Sequence, residues 1–303
     1  MSTFLSALFS GVSSGAIYSL VALGLVIVWR GAGIVNFAQM GQAMFSTYIA
    51  STLIINGYSY WVGFIVAILA GAAVGALLDI LVMRPLSNKK RTELLSSESM
   101  RAAVPVIASL GILGVLQALA GIIWAAEERG FPSPVARDGL TLAGTVMPFT
   151  LYDFFVIGVV LVTLTVTTLF FKKTGMGLAM RATALNQEVA KLSGIRTNHA
   201  RTLSWAISGA ASSLAGLLIA PSSTLSPNSL DLVLIIGFTA AVVGGLNSPV
   251  GAVIGGLIVG LVMSFVNFYM TPEDVILSIL VLLIIVLIVK PRGIFSGKDS
   301  RRV

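Results

Sequence analysis

The chain has 303 residues, of which 56% are hydrophobic and only 10% are charged, and its mean hydropathy is +0.98. Soluble globular proteins are about one quarter charged, so this composition indicates an integral membrane protein. The chain contains no cysteine and a single histidine, His199. This excludes thiol catalysis, disulfide bonds, and thiolate or multi-histidine metal sites.

Long apolar segments follow one another along the whole chain. A bilayer core about 30 Å thick needs about 20 apolar residues for each helical span. The candidate spans are, in chain order, 4–28, 41–56, 61–83, 102–125, 151–171, 202–221, 231–246, 250–270 and 274–289. They predict an all-α polytopic bundle of about 8–10 transmembrane helices, in a single transmembrane domain over residues 1–303. Segment 41–56 is short for a bilayer, so it could be re-entrant.

The charged residues predict how the bundle is oriented. When alternate connections are grouped, every Lys and Arg except Arg129 and Arg137 falls on the same side. The positive-inside rule assigns that side to the cytoplasm, with the N-terminus outside and the C-terminus inside. The net charge of +7 therefore reflects topology and not a nucleic-acid-binding surface. The longest external connection, 126–150, holds three prolines and predicts an ordered loop with short extended pieces.

Two places resemble broken membrane segments. Residues 31–41, GAGIVNFAQMG, and residues 244–256, GGLNSPVGAVIGG, both combine glycine with polar side chains between apolar runs. Non-helical backbone survives at membrane depth only where protein or a water-filled cavity satisfies it, and broken helices in transporters border the substrate site. The alternative for each is a simple hairpin turn between two spans.

A polar segment, residues 172–201, separates two long apolar runs. Its centre predicts one amphipathic helix over 178–192, because apolar residues recur there at spacings of three and four. Those residues are Leu178, Ala182, Leu185, Val189 and Leu192. Such a helix suits docking onto another protein at the membrane surface; the alternative is a loop lying on lipid headgroups.

The chain lacks the sequence signatures of a nucleotide-driven or metal-dependent enzyme. It contains no GxxxxGK[ST] phosphate-binding loop and no HExxH sequence. Asp79 is the one candidate for an ionisable residue within a span, and it lies near the cytoplasmic end of span 61–83. It either serves function or has a structural role, in which it pairs with Arg84 or reaches the interface. Carriers driven by protons or sodium usually need more buried carboxylates, so we expect the driving energy to come from another subunit.

Uncharged polar side chains also occur throughout the spans. They suit either a route for a small polar solute or hydrogen bonds between helices. The set is Ser13, Ser14, Tyr18, Ser19, Gln42, Ser46, Thr47, Gln117, Ser204, Ser208, Ser212, Ser213, Thr239 and Asn267.

Four stretches together resemble the permease subunits of branched-chain amino acid ABC importers of the LivH/LivM type. NFAQMGQAMFSTYIA, from Asn36 to Ala50, resembles the family's NFA[HQ]G signature. GMGLAMRATALNQEVAKLSGI resembles its cytoplasmic coupling segment, GGLNSPVGAVIGGLIVG its late glycine-rich motif, and KPRGIF its C-terminal motif. The motifs occur in the family's order and cover the chain nearly end to end. Where the family commonly has Gly and then an acid after NFA[HQ], this chain has Met40, Gly41 and Gln42, so a carboxylate role in recognising an amino group is in doubt there.

The resemblance implies a transport subunit that is not itself an enzyme and carries no cofactor, since partner ATPase subunits bind ATP and Mg. The implied partners are a LivM-like second permease or a second copy of this chain, two ATP-binding-cassette ATPase subunits, and an external or periplasmic solute-binding protein. The implied location is a bacterial or archaeal cytoplasmic membrane. The substrate pathway would include Asn36, Phe37, Gln39, Gln42, Asn247 and Ser248. The contact with the ATPase would include Arg181, Ala182, Leu185, Glu188, Val189 and Leu192.

Two classes of function remain open. The first is an importer permease for branched-chain or other small amino acids, with urea, amides or sugars as variants of the same architecture. The second is a self-sufficient secondary carrier or channel.

Overall fold

The computed structural model describes residues 3–86, 98–125, 127–142 and 145–295. We number the helices and strands in chain order. They are α1 (Thr3–Ala32), α2 (Gln39–Ile55), α3 (Tyr60–Leu86), α4 (Glu98–Trp124), β1 (Gly139–Leu142), β2 (Thr145–Thr150), α5 (Leu151–Lys173), α6 (Gly175–Leu185), α7 (Gln187–Leu192), α8 (Thr197–Ile219, extended by a 3-10 turn Ala220–Ser222), α9 (Asp231–Gly244), α10 (Pro249–Tyr269) and α11 (Asp274–Val289).

The predicted all-α membrane bundle is confirmed. Within the described ranges, six helices are long and apolar enough to cross a membrane, namely α1, α3, α4, α5, α8 and α10. The remaining predicted spans are also helical, but α2, α9 and α11 are only 17, 14 and 16 residues long. The predicted external loop contains an antiparallel hairpin of β1 and β2, in which Gly139 pairs with Thr150 and Leu142 with Thr145.

The chain divides into two compact units. The first unit comprises Met1–Val26, Ser133–Thr168 and Ile235–Val303, and the second comprises Ile27–Pro132 and Leu169–Leu234. Helices α1, α5 and α9 pass from one unit into the other. The single transmembrane domain inferred from the sequence stays a prediction.

Close helix contacts through glycine hold the first unit together. A methyl group on Gly260 of α10 would overlap the backbone of Gly15 on α1, and one on Gly256 would overlap Ser19. The Ser19 hydroxyl donates to the carbonyl oxygen of Val253 at 2.6 Å. In lipid, small residues allow this approach and van der Waals contact replaces the hydrophobic effect as the driving force.

The second unit is built around α8, which packs along α3 and α2. Gly71 and Gly75 of α3 lie directly against Gly209 and the backbone of Trp205 on α8. The Trp205 side chain is fully buried in a cluster with apolar residues of α1, α3 and α4. The tight glycine contacts are therefore packing contacts within the unit.

A buried ion cluster joins the end of α3 to the start of α8. Asp79 is fully buried in a π-helical turn, Asp79–Met83. Its two carboxylate oxygens lie 3.3 Å from the Nε of Arg84 and 2.8 Å from the Nε of Arg201. The predicted structural pairing with Arg84 is confirmed, and Arg201 is a second partner that sequence spacing did not reveal. The two ion pairs of this buried carboxylate tie the end of α3 to the start of α8.

Candidate functional site: a buried polar interruption and an exposed helical segment

The first interruption, residues 33–38, separates α1 from α2. Helix α1 ends at Ala32, and Gly33 follows with a φ of +71°, a left-handed conformation that glycine adopts without a Cβ clash. The chain becomes helical again at Gln39. The predicted discontinuity near 31–41 is therefore present.

The contacts with α8 show that the chain runs lengthwise along that helix at the first interruption. Gly31 lies against Ser204, and Gly216 lies against Ala43 and Thr47. Ser204 and Gly216 are about 18 Å apart along α8 at 1.5 Å per residue, so the chain rises by that distance between residues 31 and 43. Helix α2 consequently starts about level with the middle of α8, and not at its end. These contacts favour a broken membrane segment over a simple turn.

Three polar side chains of this region are fully buried, and two of them contain unpartnered atoms. The Asn36 Oδ1 accepts a hydrogen bond from the Ala38 N–H at 3.0 Å, but its Nδ2 has no partner among the described residues. Neither amide atom of Gln42 has one. Gln39 is equally buried. Leaving a buried amide unsatisfied costs about 1–3 kcal/mol. A polar molecule that supplied the missing hydrogen bonds would remove that cost, so these amides are suited to bind one.

Helix α4 supports the interruption from the side. The N–H of Phe37, which is half-buried, donates to the Ser109 hydroxyl at 3.2 Å. Ser109 is fully buried and was not among the predicted site residues. The signal that could have found it is a lone hydroxyl in an otherwise apolar run of α4.

The second interruption, residues 245–248, lies in the first unit and has a different form. Gly244 packs on Gly251, and Gly255 packs on Ala240, so α9 and α10 run antiparallel from a tight hairpin turn. The Ser248 hydroxyl caps α10 by accepting the Gly251 N–H at 2.9 Å. Asn247 is exposed in the turn. The sequence left a broken membrane segment and a simple hairpin turn as alternatives for residues 244–256, and these contacts favour the turn.

The C-terminal motif completes this turn. The N–H groups of Ile294 and Phe295 donate to the carbonyl oxygens of Val243 and Gly244 at 2.9 and 3.1 Å. These are carbonyls at the end of α9 that have no partner within their own helix. KPRGIF therefore satisfies the backbone of a helix end.

The polar segment 172–201 is helical as predicted, but the helix over 178–192 is divided into α6 and α7. The division falls at Asn186, whose φ is −157° and whose Oδ1 accepts the N–H groups of Glu188 and Val189 at 3.0 and 3.1 Å. Asparagine is among the strongest N-cap residues, so this side chain begins a new helix. The periodicity of apolar residues on both sides concealed the break.

The two short helices bury one side and expose apolar residues on the other. Met180 and Ala190 are buried, whereas Leu185 and Leu192 are 88% and 89% exposed. Leu178 and Val189 are exposed too, as is Glu188, while Arg181 and Ala182 are half-buried. Exposed large apolar side chains grouped in this way mark an interaction surface.

The described residues contain no group of three or more His, Asp or Glu side chains placed to hold a metal ion. The predicted pathway residues divide between the units. Asn36, Phe37, Gln39 and Gln42 lie together in the second unit, and the pair Asn247 and Ser248 belongs to the first.

The six long apolar helices of the described residues define a multi-pass membrane protein, with buried uncharged polar groups at a break between two of its helices. Residues 7–289 match the family described as "Branched-chain amino acid transport system / permease component". The chain belongs to this family, as the sequence motifs predicted.

Curated relatives extend over nearly the whole chain. The high-affinity branched-chain amino acid transport system permease protein LivH of Salmonella typhimurium is 29% identical over 99% of this chain and 98% of its own length. The probable branched-chain amino acid transport permease protein LivH of Methanocaldococcus jannaschii is 30% identical over 94% and 90%. The fructose import permease protein FruF of Bifidobacterium longum is 25% identical over 83% and 67%. No solved structure matches the chain.

Proposed function

We propose that this permease moves branched-chain or other small amino acids into the cytoplasm as the membrane subunit of an ATP-binding-cassette importer. The observation that carries the proposal is the family match over residues 7–289, together with LivH relatives aligned along almost the full chain. The substrate class follows the names of those relatives.

The first interruption is the part of the pathway that we assign to this subunit. The unpartnered amide atoms of Asn36 and Gln42 can exchange hydrogen bonds with a zwitterionic solute without holding it by charge. Gln39 and Phe37 lie beside them in sequence and border the same route. A pathway role for Asn247 and Ser248 stays a prediction of the sequence motif, and the capping bond of Ser248 favours a structural role instead.

The driving energy enters through the polar segment 172–201. Asp79 is the only buried carboxylate among the described residues, and two arginines hold it in ion pairs. A carboxylate engaged by two arginines in this way has a structural role, which argues against a self-sufficient carrier. The exposed face of α6 and α7, with Leu185, Val189 and Leu192, is the contact offered to an ATPase subunit, and Arg181, Ala182 and Glu188 complete it.

The full assembly would contain a second permease or a second copy of this chain, two ATPase subunits that bind ATP and Mg, and an external solute-binding protein. The bacterial and archaeal relatives support a bacterial or archaeal cytoplasmic membrane. The distribution of Lys and Arg supports an orientation with the N-terminus outside and the polar segment inside. The absence of natural cysteine allows a direct test. A cysteine at Ser133 should react with an impermeant thiol reagent from outside, and one at Asn198 only after permeabilisation; the reverse pattern would overturn the orientation.

The central experiment compares ATP-driven uptake in two variants of the polar segment. Leu185→Asp places a charge in the proposed contact and should abolish ATPase copurification and leucine uptake, because truncating central interface residues often costs about 2 kcal/mol or more. Lys191→Ala, on an exposed charge nearby, should have little effect. If Leu185→Asp retains the ATPase and normal uptake, the segment is not the coupling contact. Leucine uptake driven by an ion gradient without ATPase subunits would establish a secondary carrier instead.

Sugar import is a second candidate, favoured by the similarity to the fructose permease FruF. Uptake of labelled leucine and labelled fructose by the same reconstituted complex separates the two. Accumulation of fructose alone would contradict an amino acid substrate and leave the importer architecture intact.

A further inference from the structure

A groove with polar walls lies in the first unit, where α1 meets the end of α10 and the start of α11. Its volume is about 200 Å³. Ser10, Ser14 and Tyr18 of α1 line one side. Met263 and Asn267 of α10, with Val275 of α11, line the other. Asn267 lies in the last turn of α10 and Val275 in the first turn of α11, so the groove opens at the helix ends, where a membrane protein meets water.

The close approach of the two helices creates the groove. Gly11 and Gly15 of α1 lie directly against Leu257, Gly260 and Leu261 of α10. Because the backbones of α1 and α10 are in contact, the polar residues of α1 that line the groove lie only a short distance from those of α10. Any larger side chain at Gly260 would separate the helices and open the groove to lipid.

Most polar side chains of the groove make no hydrogen bond to the described residues. Elsewhere in the first unit, hydroxyls such as those of Ser19 and Thr239 bond to a carbonyl of the preceding turn, Gly15 at 2.7 Å and Ile235 at 3.0 Å. Five polar side chains line the groove, and one of them, Ser264, donates to the carbonyl oxygen of Ala7 at 2.7 Å. Across the described part of the chain, the other four make no hydrogen bond. These are Ser10, Ser14, Tyr18 and Asn267.

Unpartnered polar groups on membrane spans normally face other protein, a water-filled route or a bound polar molecule, because lipid offers them no hydrogen bonds. The unpartnered groups of the groove supply both donors and acceptors, and none of the described residues that line it carries a charge. A neutral polar wall suits a molecule without net charge. Met263 and Val275 add an apolar surface beside it.

We propose that this groove is a binding subsite for a small zwitterion with an apolar side chain, on the external side of the membrane. The hydroxyls of α1 and the Asn267 amide bind the carboxylate and ammonium groups, while Met263 and Val275 contact the side chain. The proposal rests on the proposed function, since it places the transported solute at a position separate in sequence from Asn36 and Gln42.

Cysteine protection tests the subsite in the assembled importer, using the natural absence of cysteine as a clean background. Ser14→Cys should react with an impermeant methanethiosulfonate reagent from outside. L-leucine at ten times its half-maximal concentration should slow that reaction by about tenfold by mass action, and fructose should not slow it. Thr271→Cys, exposed in the turn between α10 and α11, is the control that should react equally with and without leucine. If the Ser14→Cys importer fails to assemble, Ser10→Cys is the alternative position for the same labelling experiment.

A matched pair of tyrosine variants measures the same site through transport. Tyr18→Phe removes one hydroxyl from the groove and should raise the KM for leucine about three- to tenfold, the effect of losing one hydrogen bond. Tyr269→Phe removes the same atom from an exposed ring that stacks on Phe265 outside the groove, and should leave KM unchanged. ATPase copurification should be normal in both.

Two results would overturn the subsite. One is a Ser14→Cys or Ser10→Cys importer that transports leucine but shows no labelling, or labelling that leucine does not slow. The other is an equal KM for Tyr18→Phe and Tyr269→Phe. A wild-type complex that fails to accumulate leucine contradicts the proposed function instead, whatever the labelling shows.

Discussion

The two interruptions look alike in sequence and behave differently in space. Both place glycine and asparagine between apolar helices, at 33–38 and 245–248. In the first, the chain rises along α8 and buries Asn36 and Gln42 with unpartnered amide atoms. In the second, Ser248 caps α10 and the C-terminal residues satisfy the end of α9.

The difference teaches how to separate a transport feature from a structural turn. A turn satisfies its own polar groups through caps and returning backbone. A pathway keeps some of them unsatisfied despite burial, because the solute or water must exchange with them. Four substitutions test this distinction, and they are ordered from the largest expected effect to the smallest.

Gly255→Leu should destroy the folded protein. Its Cβ would overlap the carbonyl oxygen of Ala240 and the backbone of Gly244, and backbone cannot move aside as a side chain can. The cost should exceed the about 1–3 kcal/mol of ordinary overpacking. Size-exclusion chromatography of the detergent-solubilised protein should show loss of the monodisperse peak. Gly158→Leu, at an α5 glycine with open space around it, is the control; equal yields of the two variants would mean that the α9–α10 contact is not tight.

Gln42→Leu should remove transport without removing the protein. The side chain is fully buried and makes no hydrogen bond among described residues, so an apolar side chain of similar size leaves folding nearly unchanged. Leucine uptake should fall at least about tenfold, the loss expected for one or more hydrogen bonds to the solute. Ser46→Ala, one turn further along α2, removes a hydroxyl already bonded to Ala43 and should transport normally. Normal uptake by Gln42→Leu would reduce the first interruption to a structural break.

Asn36→Leu should also abolish uptake, with normal complex assembly and membrane level. It differs from Gln42→Leu because it additionally removes the acceptor for the Ala38 N–H, so a modest loss of stability should accompany it. Thermal melting and uptake are measured on the same preparation. If assembly fails together with uptake, Asn36 is a structural residue.

Ser248→Ala should have the smallest effect. Loss of an N-cap hydroxyl costs about 1 kcal/mol of stability, while uptake should be unchanged if the second interruption is only a turn. Thermal denaturation measures the loss of stability, and leucine uptake shows whether Ser248 also takes part in transport. Reduced uptake at unchanged stability would return Ser248 to the substrate pathway that the sequence motif predicted.

Individual residues show where sequence reasoning succeeded and where it stopped. Hydropathy located the spans because lipid requires long apolar helices, and each predicted span proved helical. Periodicity failed at Asn186, because the apolar spacing continues across an N-cap that divides the helix. It also did not predict that Arg201 would join Arg84 at Asp79, since that pairing depends on how α3 and α8 meet.

The sequence by itself determined the membrane class, the family and the positions of the glycine-rich interruptions, because composition, span length and motif order are local properties of the chain. Only the tertiary structure decided which interruption buries unpartnered amides and which is a capped turn. It also decided which hydroxyls bond to their own helix and which line the groove beside Tyr18. These outcomes depend on contacts between residues far apart in sequence, since a polar group's partner in lipid is supplied by whichever helix packs against it.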